Sequence, residues 1–162
     1  AGLLILYHRL LPDSLKSHPG YLLPNVKNVL TYLNQNDTGY TSALLTGNAG
    51  HAAHMKLKHY GIESFFDYNL SAFGELSEDR TTLAKVAFQR LYIQNPNIKP
   101  EEITIIGDTP HDIRCAHAIG ARSLIILAGS SYSEDDLKKH NPWKMIPQLP
   151  DNSQDFLAEL AE

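Results

Sequence analysis

The chain has 162 residues, of which 43% are hydrophobic and 20% are charged, and its formal net charge is -4 at pH 7. This composition is typical of a folded globular domain and argues against extensive disorder. The mildly acidic balance lacks the basic surface that duplex nucleic acid or an anionic membrane would require, whereas a small anionic substrate needs only a local positive site.

The first part of the chain predicts two helices. Residues 3–15 are expected to form an apolar helix that is broken near Pro12, followed by a turn over residues 17–20. A second helix is expected after Pro24, because apolar residues then recur at helical spacing. The polar stretch 34–39 is expected to end it.

The middle of the chain predicts a strand between helices. Residues 42–46 form a short apolar run, and a helix is expected over about 49–60 with Gly61 as its stop. Apolar residues within 62–68 are expected to lead into a short strand. Residues 77–79 have the composition of a helix start, and an apolar stripe at helical spacing follows them.

The last part continues this alternation. The expected elements are a strand over 103–106, a helix over 109–120, a strand over 123–127, a short helix from Ser133, a strand over 143–146 and a helix over 151–160. Because the strands are continuous apolar runs, they predict an α/β fold with a parallel sheet covered on both faces. Ligands of such sheets bind beyond the carboxyl ends of the strands.

The first strand end carries Thr46, Gly47 and Asn48. A hydroxyl, a glycine and unpaired backbone N–H groups at a helix N-terminus form an anion site. The same residue types also cap helices that bind nothing, so this turn alone leaves both interpretations open.

The second polar strand end carries Asp108 and, four residues later, Asp112. Two carboxylates near one point suit a hard cation such as Mg²⁺, which takes oxygen ligands and usually keeps several waters. The alternative is an ordinary helix cap with a solvated Asp112.

Three blocks in series carry a family resemblance. They are Leu44-Leu45-Thr46-Gly47-Asn48, then Ala72-Phe73-Gly74-Glu75 followed by Glu78-Asp79-Arg80, then Ile105-Ile106-Gly107-Asp108-Thr109-Pro110-His111-Asp112-Ile113. Their order and spacing resemble the haloacid dehalogenase (HAD) superfamily of hydrolases, in its phosphoglycolate-phosphatase-like branch. The resemblance runs from about Pro24 to the C-terminus and implies a three-layer Rossmann-like core. It further implies a phosphatase that acts on a small phosphorylated metabolite, and the single cysteine makes the cytoplasm the expected compartment.

The resemblance implies a role for each motif residue in holding phosphate. Thr46 matches the residue that hydrogen-bonds the transferring phosphoryl group, and Gly47 and Asn48 lie in the same phosphate-holding turn. Arg80 matches the cation that neutralises phosphate charge, with Lys85 as the alternative.

The resemblance also implies a Mg²⁺ cofactor. Asp108 matches the family's metal-ligating aspartate, and Asp112 matches its second acidic position, which orients the metal shell. True haloacid dehalogenases need no Mg²⁺, and the Gly107-Asp108 pair argues against that activity.

One family motif is missing, because the sequence contains no Asp-x-Asp. In the family this motif follows the first strand and supplies the nucleophile and the general acid and base. The sequence therefore resembles an N-terminally truncated member, in which residues 1–20 are a remnant of the helical cap and residues 21–162 are the core. Such a chain is expected to be nearly inactive, and to be marginally stable or to self-associate through unpaired strand edges.

Other functions stay open or are disfavoured. A nucleotide or sugar phosphatase, or a non-catalytic phosphate-binding or interaction module of the same fold, remains an alternative. Dinucleotide binding and nucleoside triphosphate hydrolysis are disfavoured, because neither glycine-rich motif is present. The single cysteine excludes an internal disulfide and favours a reducing compartment. Structural roles are expected for His51, His54, His59, Cys115 and Trp143, whereas His111 is a candidate for substrate contact.

Overall fold

The computed structural model describes residues 2–18, 20–35 and 38–161. In chain order these residues form α1 Gly2–Ser17, α2 Val26–Gln35, β1 Leu45–Thr46, α3 Gly50–His59, β2 Ala72–Phe73, α4 Arg80–Gln94, β3 Thr104–Gly107, α5 Pro110–Ile119, β4 Arg122–Ile126, α6 Glu134–Lys138, β5 Lys144–Ile146 and α7 Asp155–Ala161. None of these helices is long and apolar enough to cross a bilayer.

All of the strand pairs formed by the described residues are parallel, but they belong to two separate sheets. One sheet pairs β1 with β2, with Thr46 opposite Phe73. The other has the order β3-β4-β5, with Gly107 opposite Ile125 and Ile126 opposite Ile146. The predicted parallel α/β architecture is confirmed. Because the strands are parallel, the residues that end β1, β2 and β3 face the side on which ligands bind in this architecture.

The core forms around β4, whose residues alternate between the two faces of the sheet. On one face Leu124 and Ile126 pack with residues of α2, β5, α7 and the loop after β5, namely Val29, Ile146, Phe156, Leu160 and Leu149. On the other face Ile125 packs with Ile113 of α5 and Leu137 of α6. Helices therefore cover both faces of the β3-β4-β5 sheet, which gives three layers.

Helix α4 links the two sheets, because it packs against β1 and β2 on one side and against α5 on the other. Asp79 caps its N-terminus by accepting hydrogen bonds from the backbone N–H groups of Thr81 and Thr82. The helix therefore starts at Arg80, close to the ends of the strands.

Two local predictions need correction. Helix α1 continues through Pro12 although a break was expected there; the buried Leu11 and the packing of α1 on α3 hold the helix together despite the missing N–H. Residues Glu63–Phe65 form a short 3-10 turn, and the strand that follows is only Ala72–Phe73. Parts of two other predictions, the turn over 17–20 and the stretch 34–39, lie outside the described residues at 19 and at 36–37.

Candidate functional site

The turn after β1 is organised around the Thr46 hydroxyl. Its oxygen accepts hydrogen bonds from the Asn48 backbone N–H at 3.1 Å and from the Asn48 side-chain amide at 2.9 Å. With both acceptor positions of the oxygen in use, the Thr46 proton is left to donate to another group. Thr46 is therefore arranged as a hydrogen-bond donor at the end of the strand.

The expectation that this turn presents only unpaired N–H groups is wrong at two positions. The Asn48 N–H donates to Thr46, as described above. The N–H of Gly50, the first residue of α3, donates to both carboxylate oxygens of Glu75, at 3.0 and 2.9 Å. A carboxylate at a helix N-terminus is stabilised by the helix dipole, so Glu75 caps α3 from the neighbouring turn.

The turns after β1 and β2 lie so close that one position must be glycine. A Cβ atom added to Gly74 would lie only 2.0 Å from the carbonyl oxygen of Gly47. The Gly74 N–H also donates to the carbonyl oxygen of Asn48 at 2.9 Å. Gly74 thus fixes the turn that carries Thr46.

The turn after β3 folds around the Asp112 carboxylate. Asp112 Oδ2 accepts hydrogen bonds from the Asp108 N–H at 3.1 Å, the Thr109 N–H at 3.0 Å and the Thr109 hydroxyl at 2.7 Å. A Cβ on Gly107 would lie 2.2 Å from Asp112 Cγ, so the carboxylate occupies the space that the glycine leaves. Asp112 positions the Asp108 backbone, and only its Oδ1 faces the rest of the site.

The Asp108 carboxyl group is unfavourably placed for a charge. Burial, and then the nearby Asp112 carboxylate, raise the pKa of Asp108, while its own backbone N–H and the Arg80 guanidinium oppose the shift. The Ser130 hydroxyl, from the loop after β4, donates to the Asp108 carbonyl oxygen at 2.5 Å and holds the turn in place. A cation next to Asp108 would relieve the cost of its ionisation.

Arg80 lies between the two turns. Its Nη1 is 3.9 Å from Asp112 Oδ1, and a Cβ on Gly47 would lie 3.6 Å from its Nε. Asp79 caps α4 and thereby holds the Arg80 backbone. Hydrogen bonds from the side chains and backbone of Thr81 and Thr82 lower the pKa of Asp79 to about 2, so the capping carboxylate stays ionised. The structure thus brings the Arg80 guanidinium, the Thr46 turn and the two aspartates of the β3 turn to one side of the sheets.

The donor set is compatible with a magnesium ion. Asp108 and Asp112 offer carboxylate oxygens, the ligand type that Mg²⁺ prefers, and Mg²⁺ commonly needs only one or two carboxylates beside water and substrate oxygens. No group of three or more histidine, cysteine, aspartate or glutamate side chains among the described residues could hold a metal. The fit is thus to a hydrated hard cation and not to a closed structural site.

The other candidates lie away from this arrangement or support it from behind. Lys85 is exposed on α4. His111 is exposed, with Nδ1 2.9 Å from Arg114. Cys115 is buried and its thiol donates to the Arg80 carbonyl oxygen at 3.3 Å, so it packs α5 against the start of α4.

The candidate histidines of α3 and Trp143 make ring contacts. His54 Nδ1 lies 3.2 Å from the Tyr68 hydroxyl, and His51 packs edge-on against His8 with ring centroids 4.9 Å apart. The Arg122 guanidinium lies 4.7 Å from the centre of the Trp143 ring. These contacts agree with the structural roles expected for the residues.

Sequence reasoning missed four residues that shape the site: Gly74, Glu75, Ser130 and Lys56. Gly74 and Glu75 lie in a block that the sequence comparison used, but their contacts with Gly47 and Gly50 join distant parts of the chain. Ser130 and Lys56 carry no motif signal. Only the folded structure brings them to the turns.

The fold is similar to that of several solved structures. A predicted phosphoglycolate phosphatase from Haemophilus somnus is 21% identical, with a TM-score of 0.68, over 96% of this chain and 62% of that chain. A predicted phosphatase from Clostridium acetobutylicum is 19% identical, with a TM-score of 0.68, over 83% of this chain and 59% of that chain. A haloacid dehalogenase-like family hydrolase from Streptococcus pneumoniae is 25% identical, with a TM-score of 0.63, over 85% and 59%.

The chain therefore spans about 60% of the length of these three structures. No curated protein matches it significantly. The family model described as haloacid dehalogenase-like hydrolase matches residues 7–126, which is most of the chain. The chain belongs to the haloacid dehalogenase-like hydrolase family.

Proposed function

We propose that this chain supplies the phosphate- and magnesium-binding part of a Mg²⁺-dependent phosphatase of small phosphomonoesters, of the phosphoglycolate type. The observation that carries the proposal is the position of the Arg80 guanidinium, between the Thr46–Gly47 turn and the Asp112 carboxylate. A hydrogen-bond donor, a cation and two carboxylates on one side of the parallel sheets form the surroundings that a phosphoryl group needs.

The proposed chemistry follows from charge and hydrogen bonding. Phosphoryl transfer depends mainly on positioning and on neutralisation of negative charge. In the proposal, the Thr46 hydroxyl donates to one phosphoryl oxygen and the Arg80 guanidinium binds others through its planar set of donors. Asp108 holds the magnesium ion, and Asp112 keeps the Asp108 turn in shape. When bound, Mg²⁺ supplies further charge neutralisation at the phosphoryl oxygens.

The nucleophile is proposed to come from a strand that is not in this sequence. The proposal is supported by the absence of Asp-x-Asp and by the division of the strands into two sheets, with β1 and β3 at unpaired edges. Ile106 of the edge strand β3 is 47% exposed, so apolar surface lies beside that unpaired edge. In the same proposal, residues 1–20 are a remnant of the cap and residues 21–162 are the core.

A non-catalytic phosphate-binding module is the second candidate. The missing Asp-x-Asp motif favours it, because loss of the nucleophile alone lowers turnover about 10⁶-fold in another hydrolase. The two candidates share the phosphate site and differ in whether a nucleophile strand completes it.

Two measurements test the proposal. Calorimetric titration of the chain with inorganic phosphate, with and without Mg²⁺, should show binding that Mg²⁺ strengthens; no binding in either condition would refute the site.

An assay with a generic phosphomonoester and Mg²⁺ should give turnover close to background. Robust hydrolysis that Asp108→Ala abolishes would show that the chain contains its own nucleophile. The coding sequence directly upstream then separates the two candidates, since an Asp-x-Asp after an apolar strand there favours the phosphatase.

A further inference from the structure

Lys56 on α3 contacts the phosphate-holding turn although it belongs to no motif. Its Nζ donates a hydrogen bond to Asn48 Oδ1 at 2.8 Å. The other end of the same amide, Asn48 Nδ2, donates to the Thr46 hydroxyl oxygen at 2.9 Å. The three side chains thus form a chain of hydrogen bonds from an ammonium group through an amide to a hydroxyl.

This arrangement determines which way each group donates. An ammonium group has no acceptor, so the Asn48 oxygen must face Lys56 and the Asn48 nitrogen must face Thr46. The Thr46 oxygen then receives two hydrogen bonds from Asn48, and its own proton is directed away from the turn. If the Asn48 amide turned over, its oxygen would compete for the Thr46 proton.

The charge of Lys56 is not balanced by a neighbouring carboxylate. Among the described residues no aspartate or glutamate lies within 4.0 Å of its ammonium group, and the partner that it contacts is a neutral amide. Lys56 stands in the last turn of α3, and its side chain runs back to Asn48, which precedes the helix. A half-buried cation in this position is explained if an anion binds at the turn.

We propose that Lys56 is a positioning residue for the phosphate site: it orients the Asn48 amide so that Thr46 donates to a phosphoryl oxygen, and it adds positive charge behind the turn. This inference rests on the proposed function, because it assigns a role within the same site. Lys56 itself is not required to touch the phosphate.

Lys58 provides a matched control, because it lies on the same helix, is exposed and carries the same charge. Calorimetry with inorganic phosphate and Mg²⁺ should show that Lys56→Met weakens binding about tenfold, whereas Lys58→Met changes it less than about twofold. Lys56→Arg keeps a donor and a charge and should restore most of the affinity. Thermal melting of each variant checks that the fold is intact.

The side-chain amide of Asn48 gives a second readout that does not depend on affinity. In ¹H–¹⁵N spectra its two resonances should shift in Lys56→Met and stay in place in Lys58→Met. Equal phosphate affinities in the two methionine variants, or unchanged Asn48 resonances in Lys56→Met, overturn the inference while leaving the phosphate site standing. No phosphate binding by the wild-type chain overturns the proposed function and this inference together.

Discussion

Arg80, the first residue of α4, and Asp112, in the first turn of α5, face each other with Nη1 and Oδ1 3.9 Å apart. At this distance the pair is a loose contact between partly exposed groups and contributes little to stability. Asp112 uses its other oxygen for three hydrogen bonds within its own turn. The guanidinium therefore keeps donors available beside Gly47, which is the arrangement expected of an anion-binding group.

Replacing Arg80 tests that assignment. Arg80→Met should weaken the binding of inorganic phosphate by about tenfold or more, because it removes a charged, multidentate donor. Lys85→Met is the matched control, since Lys85 lies on the same helix and is exposed. Calorimetry of both variants in one buffer makes the comparison, and equal affinities would assign the phosphate-binding cation elsewhere.

Asp108 should carry a stability penalty at neutral pH. Burial, followed by the charge of Asp112, raises the pKa of Asp108 in the folded chain. The protonated Asp108 side chain therefore makes its full contribution to stability below the unfolded-state pKa, and this contribution is lost as the pH rises through the folded-state pKa. Since the group is partly solvated, the effect is small. Asp108→Asn should raise the melting temperature at pH 7 by about 1–2 °C, and the difference should disappear below about pH 4.

The same variant tests metal binding. Mg²⁺ should raise the melting temperature of the wild-type chain and not that of Asp108→Asn, because only a bound cation offsets the paired carboxylates. Asp135→Asn, at an exposed position on α6, should respond like the wild type. An equal response of all three chains to Mg²⁺ would contradict the assignment of Asp108.

Gly74 should be intolerant of a side chain. Gly74→Ala places a Cβ atom 2.0 Å from the Gly47 carbonyl oxygen, so the backbone must move, and we expect a loss of about 1–3 kcal/mol in the free energy of unfolding. Gly47→Ala is the control, because its Cβ would make ordinary contacts at 3.6 and 3.7 Å with Arg80. Urea unfolding of the two variants gives both values, and equal losses would show that the turns are not in close contact.

The unpaired edges of β1 and β3 should make the chain self-associate. Exposed strand edges recruit other strands, and the exposed Ile106 adds apolar surface beside one of them. Sedimentation at rising concentration should show oligomers that form from a dilute monomer. A chain that stays monomeric over the whole concentration range would count against an open gap between the sheets.

Local signals in the sequence located most elements. Asp79, Ser133 and the Thr109-Pro110 pair mark helix starts that the structure contains. The apolar runs before Gly107 and Leu127 mark β3 and β4. These features depend on neighbouring residues, so spacing and composition are enough to find them.

The errors arose where distant contacts decide. Packing on α3 carries α1 through Pro12, although the local chemistry of proline favours a break. The cap that Glu75 provides for α3 and the contact of Lys56 with Asn48 depend on how turns and helices are packed. No spacing rule predicts such contacts. The ends of the predicted strands pointed to the turns at Thr46 and Asp108, whereas Arg80 was found only because the family resemblance named it.

The most direct test of the account is a crystal structure of this chain grown with phosphate and Mg²⁺. The account predicts one phosphate ion with its oxygens at hydrogen-bond distance, about 2.7–3.2 Å, from both Thr46 Oγ1 and the Arg80 guanidinium, and a magnesium ion on Asp108. A phosphate bound elsewhere, or side chains of Thr46, Arg80 and Asp108 that do not share one ligand, would contradict it.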